Sequence, residues 1–280
     1  MPAVDGVWFV TGVSRGLGHA IADAVLAGGG RLVGTVRSDG DAADLVAAHP
    51  DRAVITRADV TDGQDIDAAV ASALDAFGRI DVLVSNAGYT LMAGIEEASD
   101  EEVVEQFATN AFGSFRVARA VLPIMRRQQS GRIIMISSVA GVSAAPGLGY
   151  YAASKHAVEG FSESMAKEVA PHGISVTIVE PGLFRTDTLG ASMRESSQTA
   201  AYESTAGKTR TALKSLDGKQ PGDPARLAAA LLALAEEPDP PLHLPLDPGA
   251  TTAIRPRLEQ QLQELDEWAA KMATAPLADT

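Results

Sequence analysis

The feature that most constrains the fold of this 280-residue chain is the alternation of short apolar runs with longer helical patterns. Six runs are apolar almost throughout, as strands buried on both faces of a sheet must be. They lie at 7–11, 31–36, 53–56, 81–86, 132–137 and 175–180, with helical patterns between them at 17–28, 41–48, 63–77, 100–129 and 150–170. Because each connection is long enough to cross over the sheet, the pattern predicts a doubly wound parallel sheet in a three-layer α/β/α fold.

The alternation stops after residue 182, and the rest of the chain is read differently. Residues 185–222 are polar with few apolar anchors, which is typical of lids or disordered stretches. A helix is predicted at 224–237, followed by a proline-rich break. A final helical stripe packs either on the body or on a second subunit, and consists of Ile254, Leu258, Leu262, Leu265, Trp268 and Met272. We therefore expect one domain over 1–280, with a substrate-loop insertion at 185–222 and a C-terminal helical extension at 251–273.

Composition excludes several classes of function. With 23 basic and 36 acidic residues the net charge is −13, so a nucleic-acid partner is not expected. The absence of cysteine excludes disulfides and thiolate chemistry, and the five histidines lack paired metal-ligand spacing, so no metal site is predicted. No apolar run approaches the roughly 18 residues of a membrane span. The chain enters a strand pattern directly after Asp5 rather than beginning with a signal peptide. These observations predict a soluble cytoplasmic protein.

A glycine-rich loop, TGVSRGLG at 11–18, joins the first predicted strand to the first helix. This context is what a dinucleotide-binding (Rossmann-type) loop requires, because helix N-terminal amides then face the pyrophosphate. Gly12 permits the turn, Gly16 allows close backbone approach and Gly18 allows the helix to pack on the sheet. The predicted cofactor-binding residues of the loop are Gly12, Ser14, Arg15, Gly16, Leu17 and Gly18.

The residue after the second strand indicates which dinucleotide is bound. NAD sites usually have an acid there, which binds the ribose hydroxyls. This chain has Arg37, whose guanidinium can make a forked contact to a 2′-phosphate, and Arg15 can reach the same side. Asp39 keeps NAD open but lies past the strand end. The sequence therefore favours NADP(H).

The tyrosine–lysine pair in GYYAASK points to proton transfer. Tyr151 and Lys155 are four residues apart and share a helix face, whereas Tyr150 has Ser154 in that position. An ammonium beside a phenol is expected to lower the phenol's pKa towards the working range. Ser138, at the end of the fifth strand, can donate a hydrogen bond to a substrate oxygen. We predict Tyr151 as the acid–base group and Tyr150 as a candidate pocket wall.

Taken together, these motifs resemble the short-chain dehydrogenase/reductase family in its one-domain form. The resemblance runs from residue 7 to about 186 and is carried by TGVSRGLG (11–18), DV (59–60), SNAG (85–88), Asn110, Ser138, YAASK (151–155) and PGLFRT (181–186). The family usually has asparagine in place of Ser85, a sheet-supporting position where little functional loss is expected.

The resemblance implies a role for each matching residue. Tyr151 exchanges a proton with the carbonyl oxygen, Lys155 holds the nicotinamide ribose and tunes Tyr151, and Ser138 orients the substrate. Asn110 is implied to help hold a water in the proton relay. The remaining implied cofactor contacts are Asp59 and Val60 at the adenine, Asn86, Ala87 and Gly88 at the adenosine ribose, and Pro181, Gly182 and Thr186 at the nicotinamide end.

The predicted function is NADPH-dependent, reversible reduction of a ketone or aldehyde to an alcohol, in a homodimer or homotetramer. Loops at 89–95, 139–149 and 183–222 are expected to line the pocket, with Tyr89 and Met92 as its bulkiest groups, so a medium-sized, largely apolar substrate is favoured. Arg185 is either a contact for a substrate acid group or a solvated loop residue. Two alternatives stay open: a non-catalytic NADP(H) sensor, and an epimerase or dehydratase that uses the same pair.

Overall fold

A seven-stranded parallel sheet forms the centre of the protein, in a computed structural model that describes residues 5–190 and 192–272. The strands are β1 (Val7–Thr11), β2 (Arg31–Val36), β3 (Ala53–Arg57), β4 (Val82–Ser85), β5 (Thr90–Met92), β6 (Gly131–Ile136), β7 (Ile174–Pro181), β8 (Met193–Glu195) and β9 (His243–Leu246). The main sheet has the order β3-β2-β1-β4-β6-β7-β9, and β5 and β8 form a separate parallel pair. The doubly wound parallel sheet is confirmed.

Helices cover both faces of this sheet, and each face has its own apolar core. They are α1 (Gly16–Ala27), α2 (Ala43–Ala48), α3 (Gly63–Phe77), α4 (Asp100–Phe107), α5 (Ser114–Gln128), α6 (Gly149–Val169), α7 (Lys208–Ser215), α8 (Pro224–Glu236) and α9 (Pro248–Met272). Trp8 and Val10 of β1 pack with α1 and α8, whereas Phe9 packs with α3 and α5 on the other face. This arrangement follows from the period of two in a strand, which sends successive side chains to opposite faces. The order of the strands reverses at β1 and β4, which opens a crevice beyond their carboxyl ends.

The predicted helix over 100–129 is interrupted at its centre. Ser99 and Glu102 form the expected capping box at its start. A turn of π-helix at Ala108–Gly113 then separates α4 from α5 and holds Asn110 in the interior. Such turns often occur at functional sites, because they redirect a side chain that a regular helix would place elsewhere.

The proline-rich stretch read as a break contains β9, the seventh strand of the sheet, so this part of the prediction is wrong. His243–Leu246 pairs in parallel with β7 at the edge of the sheet. An edge strand forms ladder hydrogen bonds on one side only, so it accepts Pro245 where a central strand would lose a bond.

The polar segment 185–222 has more structure than a disordered stretch. It contains β8 and α7, and Arg210 forms a buried salt bridge with Glu97 at 2.9 Å. A backbone hydrogen bond also connects its two ends, since the Gly222 N–H donates to the Leu183 carbonyl at 3.0 Å. These partners lie far away in sequence, so polarity alone could not reveal them.

The C-terminal stripe divides between buried and exposed residues on α9. Ile254 is buried, whereas the side chains of Leu258, Leu262, Leu265 and Trp268 are exposed in the single chain. The side chain of Met272, and residue 273 of the predicted extension, lie outside the described residues. Within the described ranges, no helix is both long and apolar enough to cross a membrane.

Candidate active site

A cleft of about 430 Å³ lies beyond the carboxyl ends of β1, β4, β6 and β7. It brings together most of the residues singled out in the sequence, although these come from ends of strands far apart in the chain. The predicted residues that line it are Gly12, Ser14, Arg15, Gly16, Leu17, Arg37, Asp59, Val60, Asn86, Ala87, Gly88, Ser138, Tyr151, Lys155, Pro181, Gly182 and Thr186. Gly18 and Asn110 are outside the lining and act on it from behind.

The glycine loop is held in a left-handed turn by the neighbouring strand. Gly12 and Gly16 have φ of +73° and +63°, which L-residues with a side chain rarely adopt. The Gly12 N–H donates to the Thr35 hydroxyl at 3.2 Å and to the Thr35 carbonyl at 3.1 Å. No side chain caps the N-terminus of α1. Its first N–H groups are therefore available to an anion in the cleft, which fits a dinucleotide pyrophosphate.

Asn86 fastens this loop to the end of β4. Its side-chain amide donates to the Thr11 carbonyl at 2.9 Å and to the Gly12 carbonyl at 3.3 Å. The Thr11 hydroxyl in turn accepts from the backbone N–H groups of Asn86 and Ala87, at 2.9 and 3.0 Å. The Asn-Ala-Gly stretch thus supports the loop, while the same three residues line the cleft.

Gly18 is the tightest point behind the loop, and Gly18→Ala is expected to disrupt it. A Cβ at this position would lie 2.1 Å from the Gly12 carbonyl oxygen and 2.6 Å from the Asn86 amide nitrogen. Relieving the clash requires α1 to move off the sheet, and overpacking of this kind costs about 1–3 kcal/mol. We expect a lower melting temperature and weaker dinucleotide binding, measured by thermal unfolding and fluorescence titration.

Gly160→Ala is the matched control for that substitution. Gly160 is also helical, in α6, but a Cβ there would have no neighbour within 4 Å. Alanine in an open helical position should leave stability unchanged or raise it by about 0.4–1 kcal/mol. Equal behaviour of the two variants would contradict the close packing inferred at Gly18.

Three hydroxyl groups meet at the inner end of the cleft. The hydroxyls of Ser138 and Thr90 face the phenol of Tyr151. The Ser138 oxygen also accepts from the Ala140 N–H at 3.1 Å, which fixes its position at the end of β6. Burial raises the pKa of Tyr151, and hydrogen bonds from Ser138 and Thr90 only partly oppose this rise. The phenol therefore remains protonated at neutral pH and can donate.

The structure corrects one expectation about the tyrosine–lysine pair. Lys155 was expected to lower the pKa of Tyr151, yet burial dominates and the pKa is raised. The Lys155 ammonium donates to the Ile136 carbonyl at 2.8 Å and is itself buried. Burial lowers the pKa of Lys155 to about 8, while the nearby Glu159 carboxylate acts in the opposite direction. The lysine thus titrates closer to neutrality than an exposed one.

Asn110 connects the π-turn to the loop after β4. Its side-chain oxygen accepts from the Tyr89 N–H at 3.0 Å, and its amide donates to the Tyr89 carbonyl at 2.9 Å and to the Ser154 hydroxyl at 3.3 Å. Asn110 therefore positions the segment that leads from Tyr89 into Thr90. Its implied part in holding a water stays a prediction.

Tyr150 and Met92, which were expected to line the pocket, and Arg185, which was left open as a substrate contact, lie outside the cleft lining. Tyr150 does not line the cleft, because its hydroxyl donates to the Ile95 carbonyl at 2.7 Å. Arg185 donates to the Gln220 carbonyl at 3.2 Å and is also outside the lining. Met92 is fully buried in β5. Tyr150 was interpreted from its neighbour Tyr151, and Met92 and Arg185 from their loops, but the direction of each side chain differs from these expectations.

Thr90 and Arg194 lie in loops that were expected to line the pocket, but neither was singled out from the sequence. Thr90 is a buried polar residue next to the phenol, and the signal for it was a hydroxyl two residues after the SNAG motif. Arg194 comes from β8 and stacks on the Tyr89 ring at 4.4 Å while pairing with Glu105. No local pattern predicts Arg194, because its partner Glu105 lies 89 residues earlier in the chain and Tyr89 lies earlier still.

Two arginine side chains lie at the cleft near the end of β2. Arg15 and Arg37 are exposed at the cleft, and neither forms a salt bridge with any described residue. Asp59 lies nearby and its pKa is lowered, since hydrogen bonds from Thr61 and the attraction of Arg37 outweigh burial. Its oxygen accepts from the Thr61 N–H and hydroxyl at 2.8 and 2.7 Å.

The cleft combines an uncapped helix end behind a glycine turn with a serine, a tyrosine and a lysine. These features define an oxidoreductase of the nucleotide-binding α/β class. The sequence profile described as short chain dehydrogenase matches residues 6–197. The chain is 40% identical to oxidoreductase BOA17 of Botryotinia fuckeliana, over 87% of this chain and 89% of that protein. The protein therefore belongs to the short-chain dehydrogenase family of oxidoreductases.

Solved structures show the same relationship. A short-chain dehydrogenase from Streptomyces avermitilis matches with a TM-score of 0.91 and 42% identity, over 97% of this chain and 99% of that one. A short chain dehydrogenase/reductase from Burkholderia phymatum, in complex with NAD, matches with a TM-score of 0.82 and 25% identity over the whole of both chains. The predicted family is confirmed.

Proposed function

We propose that this protein is an NADPH-dependent reductase that reversibly interconverts a ketone or aldehyde and an alcohol. The observation that carries the proposal is the meeting of the Ser138 and Tyr151 hydroxyls in the same cleft as Lys155 and the glycine loop. Two hydroxyl donors at one point suit a carbonyl oxygen that gains negative charge during reduction.

Each polar residue at the inner end of the cleft has a distinct part in the proposed reaction. Tyr151 gives its proton to the carbonyl oxygen in reduction and takes it back in oxidation. Ser138 donates a hydrogen bond to the same oxygen and sets its position. Lys155 binds the ribose next to the nicotinamide, and Asn110 keeps the loop around Tyr89 in place and helps hold the water of the proton relay.

The cofactor site fits a reduced dinucleotide, which supplies the hydride when bound. The free N–H groups of α1 suit the pyrophosphate, and Asp59, Val60, Asn86, Ala87 and Gly88 suit the adenosine half. Pro181, Gly182 and Thr186 flank the nicotinamide half. The preference for NADP(H) is supported by Arg37 and Arg15, because a 2′-phosphate needs unpaired positive charge. The relative from Burkholderia phymatum carries NAD, so this preference is the part that most needs a direct measurement.

The substrate end of the cleft favours a medium-sized and largely apolar compound. Apolar side chains of Leu183, Phe184 and Leu189 line it, together with the aromatic ring of Tyr89. Arg194 already contacts Glu105 and the Tyr89 ring, so its charge is not free to recognise an acid group.

A panel of ketones and aldehydes, assayed with NADPH and with NADH, tests the proposal. We expect consumption of NADPH at 340 nm with at least one apolar carbonyl compound and formation of the matching alcohol. An epimerase or dehydratase would convert its substrate without net cofactor consumption, and a sensor would bind NADPH without turnover. Tight NADPH binding with no oxidation across the panel would therefore contradict the reductase assignment.

A homodimer or homotetramer and a cytoplasmic location stay predictions from the sequence. Light scattering of the purified protein measures the first, and fractionation of the source cells measures the second. A monomer at micromolar concentration would contradict the first.

A further inference from the structure

A second cluster of ionisable side chains lies near Lys155 but outside the lining of the cleft. Glu159 follows Lys155 by one turn of α6, Glu180 belongs to β7 and His243 begins β9. None of the three lines the cleft. One ligand atom from each lies within 4.8 Å of the other two. The cluster thus joins the edge strand β9 to the neighbouring strand β7 and to helix α6.

The two carboxylates are buried, whereas the imidazole reaches the surface. The side chains of Glu159 and Glu180 are 8% and 2% exposed, and that of His243 is 42% exposed. The His243 Nδ1 atom lies 3.0 Å from an oxygen of Glu180 and 3.4 Å from an oxygen of Glu159. A group could therefore enter from solvent past His243 and meet two carboxylates inside.

Glu159 is the unusual member, because neither of its buried oxygens accepts a well-formed hydrogen bond from a described residue, although the Ser137 hydroxyl and the His243 imidazole lie close to it. A buried and unsatisfied carboxylate is costly. Two buried carboxylates side by side favour a bound cation, and His243, whose Nδ1 atom lies within 3.4 Å of both, would share it with them.

We propose that Glu159, Glu180 and His243 bind one divalent transition-metal ion, with zinc as the ion that fits best. One imidazole nitrogen with carboxylate oxygens is a donor set that suits zinc, whereas magnesium and calcium prefer oxygen alone. At metal–ligand distances of about 2.0–2.2 Å, neighbouring ligand atoms lie roughly 3.0–3.6 Å apart. The two distances measured from His243 fall in this range. The third pair of ligand atoms, one from Glu159 and one from Glu180, lies within 4.8 Å and would have to draw closer on metal binding.

The His243 side chain is the member of the cluster that reaches the surface, so solvent can supply further ligands. An oxygen of Glu163, one further turn along α6, lies 3.7 Å from the His243 Nε2 atom and can hold a water or the outer face of the imidazole. A metal bound here would tie β9 to β7 and α6, so its expected effect is on stability. Because Glu159 also acts on the pKa of Lys155, the test is one of metal binding and stability and needs no turnover.

Zinc binding to the chelator-treated full-length protein, measured by calorimetry, tests the site. We expect one equivalent per chain and a rise in melting temperature that EDTA reverses. X-ray absorption at the zinc edge should show nitrogen and oxygen ligands, including one imidazole. No binding, or a melting temperature indifferent to zinc and EDTA, would mean that a proton alone neutralises the cluster, and would overturn the proposal.

Variants separate this site from adventitious binding. His243→Gln changes a partly exposed side chain, so the protein should fold, and we expect the zinc affinity to fall at least tenfold. Glu159→Gln should have the same effect, with circular dichroism checking its fold. His156→Gln is the matched control, since His156 is exposed on the same helix. Equal zinc affinity in the His243→Gln and His156→Gln proteins would show that the metal binds elsewhere.

Discussion

Replacing Tyr151 with phenylalanine is expected to lower the rate of carbonyl reduction by about 10²–10⁴-fold, the usual contribution of a positioned general acid. The ring and its packing remain, but the proton donor to the substrate oxygen is lost. Ser138 keeps its place through the Ala140 N–H. NADPH binding should therefore stay nearly unchanged while kcat falls. Steady-state kinetics and a fluorescence titration of NADPH measure the two effects separately.

Tyr150→Phe is the matched control for Tyr151→Phe. It removes the same atom from the adjacent residue, whose hydroxyl donates to the Ile95 carbonyl away from the cleft. The loss of one hydrogen bond costs about 0.5–1.5 kcal/mol of stability and should leave turnover measurable. If Tyr151→Phe kept most of the parental rate, or if the two variants behaved alike, Tyr151 would not be the proton donor.

The state of Tyr151 also bears on the direction of the reaction. Because burial raises its pKa above the ordinary value of 10.0, the phenol holds its proton at neutral pH. This is the form that reduction needs, whereas oxidation needs the phenolate. The assay at neutral pH should therefore be run in the direction of carbonyl reduction.

The central strands could be predicted because their physical signal is local. A strand buried on both faces must be apolar throughout, so VWFVT and RLVGTV mark β1 and β2 without knowledge of their neighbours. The edge strand β9 has a histidine at its start and a proline inside, and it gains its place from pairing with β7. The pairing of β9 with β7 joins residues about sixty positions apart, so no short stretch of sequence indicates it.

The candidate site was predictable to the extent that it follows strand ends. The glycine loop, Arg37, Asn86 and Ser138 each follow a buried strand, and parallel strands bring such positions to one edge of the sheet. Arg194 reaches the cleft through the pairing of β8 with β5, which no motif announces. The pKa of Tyr151 likewise depends on burial by residues from several elements, so the expectation from its neighbour Lys155 alone was wrong.

Arg37→Asp is expected to reverse or erase the preference for NADPH. Loss of a charge-assisted contact to the 2′-phosphate costs about 1.5–3 kcal/mol, or roughly 10–100-fold in kcat/KM for NADPH. The introduced carboxylate can accept hydrogen bonds from the ribose hydroxyls of NADH. The ratio of kcat/KM for the two cofactors, measured with one carbonyl substrate, gives the result.

Asp59 makes this substitution more severe than the loss of one contact. Arg37 attracts the Asp59 carboxylate, and without it two carboxylates would face the same end of the cleft. Both would repel a 2′-phosphate, so the loss should fall on NADPH and be smaller at high ionic strength. Arg119→Asp, on the exposed face of α5, makes the same change of charge away from the cleft and should leave the ratio unchanged. Equal kcat/KM for both cofactors in the unmutated protein would contradict the assignment of Arg37 as a 2′-phosphate ligand.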